Sequence, residues 1–469
     1  SGSGIAINTP VILETAGTVT QVAIGPSAVG EVGAAVVFNP ATNRVDYVAT
    51  TFDSDSNKVV IAYGDATNSF NGYGVVGTVS GTSISYGTPV VFETGGSADH
   101  ISCTFDSNSN KVVIVYRDNA NSMYGTAIVG TVSGTAISYG TAVVFESATT
   151  SFPATTFDSN ENKVVIAYQD GGNSSYGTAI VGTVSGTSIS FGTAVVFNAA
   201  ASEAFGATFD SNENKVVISY GDAGNSYYGT AVVVTITGTV PSFGSEAVFE
   251  SASTDPTSAT FDSNSNKVVI AYRDKGNSNH GTGVVGTVSG TSISFGTPVV
   301  FEAAAITYPS ATFDSNSNKV VIAYTDYDNS NYGTVIQGTV SGTAISYGTA
   351  LVFNADTTTY NAVTFDSDSN NAAIAYGADA GTGDSGKFGK GIVYSTTATN
   401  LTATNFLGFA DEAISASASG VIVVQGGTAT YPAQPALNAG DPVQFESGSN
   451  TYNASVFDSN ANKIVAFYD

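Results

Sequence analysis

Tryptophan is absent from this chain of 469 residues, and cysteine and methionine occur once each. A lone Cys103 excludes an internal disulfide framework. Placed in a strand just before a repeated motif, it reads as a small core residue. Histidine, the usual proton shuttle near neutral pH, is confined to His100 and His280. Both fall in loops on one predicted face, several repeats apart, and read as surface residues. Arginine stands only at Arg44, Arg117 and Arg273, in separate repeats, which is too scattered for a converging arginine site. Basic residues number 13 against 38 acidic ones, for a net charge of −25. Such a surface repels phosphates and argues against a nucleic-acid partner. No apolar run approaches the roughly 18 residues that a membrane-spanning helix needs. No basic start with an apolar run behind it marks a secretory leader, and Ser1-Gly-Ser-Gly reads as a linker or processed terminus.

What is present is repetition. The phrase Phe-Asp-Ser-(Asn/Asp)-x-Asn recurs at Phe52, Phe105, Phe157, Phe209, Phe261, Phe313, Phe365 and Phe457, with a first spacing of 53 and then five of 52. A fixed period of this size is the signature of supersecondary units stacked on one another. Within one copy, residues 308–314, 319–324, 332–340 and 344–353 read as four short strands with turn signals between them, an antiparallel meander. The second strand, Val-Val-Ile-Ala-Tyr, is apolar without alternation, as expected when both faces of a sheet are covered. With no tryptophan, Phe and Tyr must carry the packing between sheets, each buried ring contributing roughly 1.5–3 kcal/mol. The fold these signals predict is all-β, a β-propeller of four-stranded antiparallel blades.

Eight copies of the phrase predict eight blades, with seven as the alternative. The last copy stops at Asp469 after its second strand, and residues 33–39 match 192–198 almost letter for letter. The N- and C-terminal strands are therefore expected to share one blade, with Val36 and Val465 in the same sheet; otherwise seven blades and a terminal extension follow. On this reading residues 1–10 are a tail or linker and residues 11–469 a single propeller. Residues 383–432 are an insertion in the seventh copy, either a tolerated surface element or a contact for assembly.

The candidate chemistry is spread over the copies. The turn Asp106 to Asn110 resembles a calcium loop, with Asp106, Asn108 and Asn110 at alternate positions. It lacks the glycine and distal acid of such loops, and Lys111 follows, so a capped hairpin turn is the simpler reading and Ca²⁺ the alternative. No other cofactor is suggested. A second loop repeats Asp-x-x-Asn: Asp118/Asn121, Asp170/Asn173, Asp222/Asn225, Asp274/Asn277 and Asp326/Asn329. These residues either bond their own loop backbone or, as a ring of carboxylates and amides, bind sugar hydroxyls or Ca²⁺. Tyr227, Tyr327, Tyr332 and His280 lie on or near the same side. In a meander these loops share a face with the segments joining strand four to the next strand one. Those segments drift in sequence from copy to copy, whereas the loops of the other face barely change. A rigid scaffold with one diversified face is how recognition surfaces are built.

Phe-Asp-Ser-Asn-Ser-Asn-Lys-Val-Val-Ile-Ala-Tyr (261–272) and Gly-Thr-Val-Ser-Gly-Thr-Ser-Ile-Ser-Phe-Gly-Thr (286–297) resemble repeats in virion structural proteins of marine tailed bacteriophages. Residues 402–415, with Val424-Gln-Gly-Gly, are similar to a module near the ends of such proteins. The resemblance implies a tail-fibre or appendage component on a virion or extracellular surface, with host-surface glycan or protein and other virion proteins as partners. It carries over no catalytic or metal residue. The expected function is non-enzymatic attachment; a purely structural assembly module and a polysaccharide-degrading enzyme are the alternatives.

Overall fold

The computed structural model describes residues 30–39, 44–379 and 387–396. It also describes the strands Pro10–Leu13, Val19–Gln21, Phe406–Ala410, Gly420–Val424, Gly427–Tyr431, Tyr452–Asp458 and Lys463–Tyr468. The chain divides into two compact units, Val29–Ala398 and a second made of Ser1–Ala28 with Thr399–Asp469, so the terminal segments do not group with the repeats as a single body. In the second unit, Pro10–Leu13 lies between Val19–Gln21 and Phe406–Ala410 in a five-stranded antiparallel sheet that the other two strands complete. Tyr452–Asp458 and Lys463–Tyr468, the eighth copy of the phrase, form a separate hairpin.

The first unit is all-β and antiparallel. Each repeat gives an innermost strand, then a second and a third, for example Ala98–Asp106, Lys111–Asp118 and Tyr124–Ser133. The outer position is filled in two pieces: Ala136–Tyr139 pairs with the end of the third strand, and the start of Val143–Asp158 pairs with its beginning. Val143–Asp158 then continues as the innermost strand of the next sheet. The drifting segments expected to be loops are thus the middles of 16-residue strands such as Val195–Asp210 and Val299–Asp314. Their Ala, Ser and Thr accept an extended backbone without offering a turn. Among the junctions described throughout, one breaks, between Val90–Glu93 and Ala98–Asp106, where Gly95 and Gly96 take φ of 99° and 149°. The hydrogen-bonded ladder is consequently open, with 25 strands on one side of its breaks.

Side chains continue where the ladder stops. Residues 320–324 are fully buried, and alternate ones enter different cores. Val320, Ile322 and Tyr324 pack with Val269 and Ala271 of the preceding sheet, while Val321 and Ala323 pack with Ile374 and Tyr376 of the following one. The same division links each sheet to the next, and a final core joins Ala373, Ala375 and Val393 of the last sheet to Ile61 and Tyr63 of the first. The innermost strands follow the same cyclic order: Val45–Asp53 packs on Ala98–Asp106 on one side and on Leu351–Asp366 on the other. Asn371 Nδ2 donates to Gly81 O across the same junction, at 3.1 Å.

Seven sheets fill this unit, not eight. The seventh consists of the end of Leu351–Asp366, then Asn371–Asp379 and Lys387–Ser395, and its outer position is taken by Glu31–Val32 and Val36–Val37. Val36 pairs with Gly391, whereas Val465 pairs with Val456 in the terminal hairpin, so the expected pairing of the two ends is overturned. Residues 387–395, assigned to the insertion on sequence, are this sheet's third strand; half of 383–432 lies outside the described residues.

A size rule governs the packing of one sheet on the next. A Cβ placed on Gly74, Gly283 or Gly391 would collide with the hydroxyl of Tyr139, Tyr347 or Tyr86 respectively. Where the third strand carries Ala127, Ala179 or Ala231 instead, the ring in the same core is Phe191, Phe243 or Phe295. Tyrosine meets glycine and phenylalanine meets alanine, one hydroxyl traded for one methyl at constant volume. The pair Tyr86–Gly391 applies this rule between the first and seventh sheets.

Candidate functional site

At one end of each sheet the turn after the Phe-Asp pair is capped by its aspartate in the same way. Asp106 Oδ1 accepts from Asn108 N and Ser109 N at 2.9 and 3.0 Å, Asn110 takes a left-handed φ of 54°, and Lys111 Nζ donates to Ser109 O and Asn110 O. N–H donors hold the aspartate, and an ammonium holds the carbonyls a cation would need. This geometry is that of a capped hairpin turn.

The opposite end carries the second loops. Their aspartates also cap backbone: Asp118 accepts from Asn121 N, Asp170 from Gly172 N and Asn173 N, Asp274 from Asn277 N, and Asp326 from Asn329 N. Asp222 accepts from Gly224 N and from Asn198 Nδ2, and Asn225 closes the short 3-10 turn Ala223–Asn225. The predicted Asp and Asn residues therefore meet within each loop, not across loops. Two consecutive left-handed residues follow, such as Ser226 and Tyr227. The carbonyl of the second accepts from the neighbouring sheet, as Tyr227 O does from Thr254 N and Asn279 O from Ile306 N. Tyr227 and Tyr327 point outward, 42% and 60% exposed. Tyr332 and His280 are half-buried at the starts of their third strands, opposite Asp326 and Asp274.

Sequence reading missed the feature at the axis of this end. Each innermost strand has a register shift near its start. The residue at the shift is Tyr47, His100, Phe152, Ala204, Pro256, Tyr308 or Tyr360, and all but the proline take φ between 48° and 59°. A left-handed φ at a bulky aromatic residue is unfavourable by about 1–2 kcal/mol, so the bulge is imposed by the surrounding sheet. Five of these rings touch in sequence around the axis. Ring centroids are 4.8 Å apart for Tyr308–Tyr360, 5.1 Å for Tyr360–Tyr47, 5.2 Å for Tyr47–His100 and 4.7 Å for His100–Phe152. Ala204 and Pro256 leave the arc open. His100 is thus not a loop residue but part of this stack. Burial, then the Arg117 charge, lowers its imidazole to about 4 against the opposing pull of Asp99.

The arginines that looked scattered all serve this mouth. Arg44, Arg117 and Arg273 pair with Asp46, Asp99 and Asp255, each carboxylate one residue before an axial position, at 3.0, 2.9 and 3.3 Å. Lys275 also reaches Asp255, at 3.0 Å. Hydrogen bonds from Ser97, Arg117 and Asn119 outweigh burial and hold the Asp99 carboxyl below the usual range. Glu203, before Ala204 in the gap, is pushed upward by burial and by Asp255. Aligning the copies at their period would have exposed the axial ring; its departure from glycine at a left-handed position hid it.

Among the described residues, no three His, Cys, Asp or Glu side chains converge as a metal site would require. No family model and no curated protein matches the chain. Among solved structures, it is similar to the BP39L lectin from Burkholderia pseudomallei, with 10% identity and a TM-score of 0.50 over 74% of this chain and 99% of that one. It is also similar to Sqt1 from Saccharomyces cerevisiae, with 10% identity and a TM-score of 0.45 over 76% and 97% of the two chains. At such identity the likeness to the lectin is one of fold alone.

Proposed function

We propose that the seven sheets are the blades of a β-propeller and that the chain is a non-enzymatic recognition protein of a virion or other extracellular surface. Its partner is a host-surface glycan or envelope protein, engaged through the end that carries the second loops and the axial mouth. One observation carries this reading: the two ends share a scaffold, yet one is constant and the other varied. The turn end repeats the same capped aspartate from sheet to sheet, while the other end exposes Tyr227, Tyr327, Met123 and Phe152. A lectin among the proteins of this fold supports carbohydrate as the ligand class. The loop aspartates are engaged with backbone N–H groups, and His100 is held neutral within a ring stack, which supports binding over proton-transfer chemistry. Several weak contacts on one rigid body gain avidity without any strong one. The test is binding of the intact chain to arrays of bacterial surface glycans and to host envelope fractions. Specific, saturable binding to either supports the proposal, and binding to neither overturns it.

The assembly reading draws on one further observation. Val37, Val91, Val144, Val196, Val248, Val300 and Val352 are exposed at equivalent places on the outer strands, between 37% and 46%. Lateral contacts between particle proteins would cover such a belt. Sedimentation of a variant with three of these valines changed to threonine distinguishes the two, since only the assembly reading predicts loss of an oligomer.

A further inference from the structure

We propose that the axial mouth is a single binding site for one neutral sugar ring, the terminal hexopyranose of a glycan, so that the chain binds one such residue on its axis. The inference rests on the glycan reading above and goes beyond it in naming the site, the stoichiometry and the charge of the sugar.

Three features converge there. The first is the arc of five touching rings, which is partly open to solvent: Phe152 is 37% exposed, and the other four rings are half-buried. Aromatic faces of this kind suit the C–H face of a pyranose, an amphipathic ring that leaves its hydroxyls to polar neighbours. The second feature is the charge balance. Asp46, Asp99 and Asp255 each hold a cation, and those cations are Arg44, Arg117, Arg273 and Lys275. Four carboxylates, counting Glu203, face four cations, and each cation is already engaged. An anionic sugar finds no unengaged positive group at this rim, and a cationic ligand is repelled by the bound guanidinium groups. Neutral hydroxyls, which both donate and accept, fit paired charges of either sign. The third feature is unmet polarity beside the rings. Asn361 follows Tyr360 and is only 7% exposed; its Nδ2 donates to Thr325 Oγ1 at 2.9 Å, but its Oδ1 has no partner. Thr359 Oγ1, immediately before Tyr360, is likewise buried without one. Other such atoms lie in the body of the sheets, but these two flank Tyr360 in the arc, where a sugar hydroxyl can complete them. The gap at Ala204 and Pro256 leaves the arc open on one side, next to Glu203.

The symmetry of the copies argues for one site. Loops repeat around the molecule, but there is a single axis and a single arc. The repeated left-handed backbone presents these rings at the cost of local strain, which is characteristic of ligand-contacting positions.

The experiment uses the intact chain with the methyl glycosides of glucose, galactose, mannose and fucose, followed by titration calorimetry and by proton NMR of the imidazoles. Only two histidines exist, so His100 reports the mouth and His280 the start of a third strand beside a second loop. At least one glycoside should bind with a stoichiometry near one, shifting the His100 resonances and leaving those of His280 in place. Tyr360→Ala and Phe152→Ala should each weaken that binding at least tenfold, while Tyr327→Ala, on an outer loop, should not. Should Tyr360→Ala fail to fold, the His100 shift in the unmodified chain still decides the matter. Binding that shifts His280 alone, that is lost in Tyr327→Ala, or that shows several equivalents per chain places the sugar on the loops. That overturns this inference and leaves the glycan reading intact. Binding only to acidic glycans also overturns it. Absence of binding to every glycan overturns both.

Discussion

The body of the sheets and the mouth vary under different rules. In the body, a change on one sheet is answered on the next: Gly74 with Tyr139, Ala127 with Phe191, Gly391 with Tyr86. At the mouth, Tyr, His, Phe, Ala, Pro, Tyr and Tyr occupy one bulge with no such matching change. Matched variation is what close packing demands, because an interior of near-crystalline density transmits every added methyl to its neighbour. Unmatched variation means that the protein itself does not dictate the residue. The difference separates positions that serve the fold from positions open to a partner.

The sharpest way to break this comparison is at the junction of the first and seventh sheets. Gly391→Ala drives a methyl into the Tyr86 hydroxyl and should cost ~2–3 kcal/mol, read as a lower denaturation midpoint. Tyr86→Phe in the same chain should restore most of it, recreating the Ala–Phe pair used elsewhere. Without that rescue, neither the size rule nor the contact between these sheets stands. A smaller loss, about 1–2 kcal/mol, is expected for Asp106→Ala at the constant turn, which strips the acceptor from Asn108 N and Ser109 N. Equal cost at the exposed mouth residue Phe152→Ala would erase the distinction between the two regions.

The pH dependence sharpens the comparison further. His100 titrates near 4 in the folded chain and near 6.5 when unfolded, so between those values the unfolded state binds more protons. Stability from this group therefore rises with pH across that window and is lost as pH falls through it. Glu93, Glu146 and Glu250 act in reverse. Burial raises them despite the hydrogen bonds they accept from Tyr116, Tyr168 and Tyr272, so their contribution fades as pH rises above 4.5. Replacing His100 with Phe should remove the rise in stability between about pH 4 and 6.5 and leave the glutamate part, as urea midpoints at a series of pH values will show. The smallest effect belongs to Tyr327→Ser, which should shift stability by no more than about 0.5 kcal/mol.

Much of the body was legible in the sequence. The period marked the copies, and the unbroken apolar run at 320–324 correctly implied a sheet covered on both faces. Residues 33–39 were rightly read as an outer strand from their likeness to 192–198, but their partner was misassigned. The copy at Phe457 advertises the same two strands as every other copy, and its hairpin does form. Nothing in its letters says that these two strands form a hairpin of their own, nor that Lys387–Ser395 supplies the third strand awaiting an outer neighbour. The crossovers were read as loops because drift resembles loop sequence, yet among those described throughout only Gly95-Gly96 carries a true breaker. The mouth was the least legible. A tyrosine in a strand gives no hint that its backbone is left-handed, and the ring contacts join residues about 50 positions apart or, for Tyr47 and Tyr360, over 300.

The seventh sheet takes its outer strand from the start of the chain: Asn39 Oδ1 accepts from Gly389 N across 350 positions. Such a latch cannot engage until nearly the whole unit has been synthesised, so its earliest-made strand waits for its last-made one, and the final docking step carries a large loop-closure entropy. Once engaged, it fills the outer position of the last sheet, an edge that would otherwise need a polar cap.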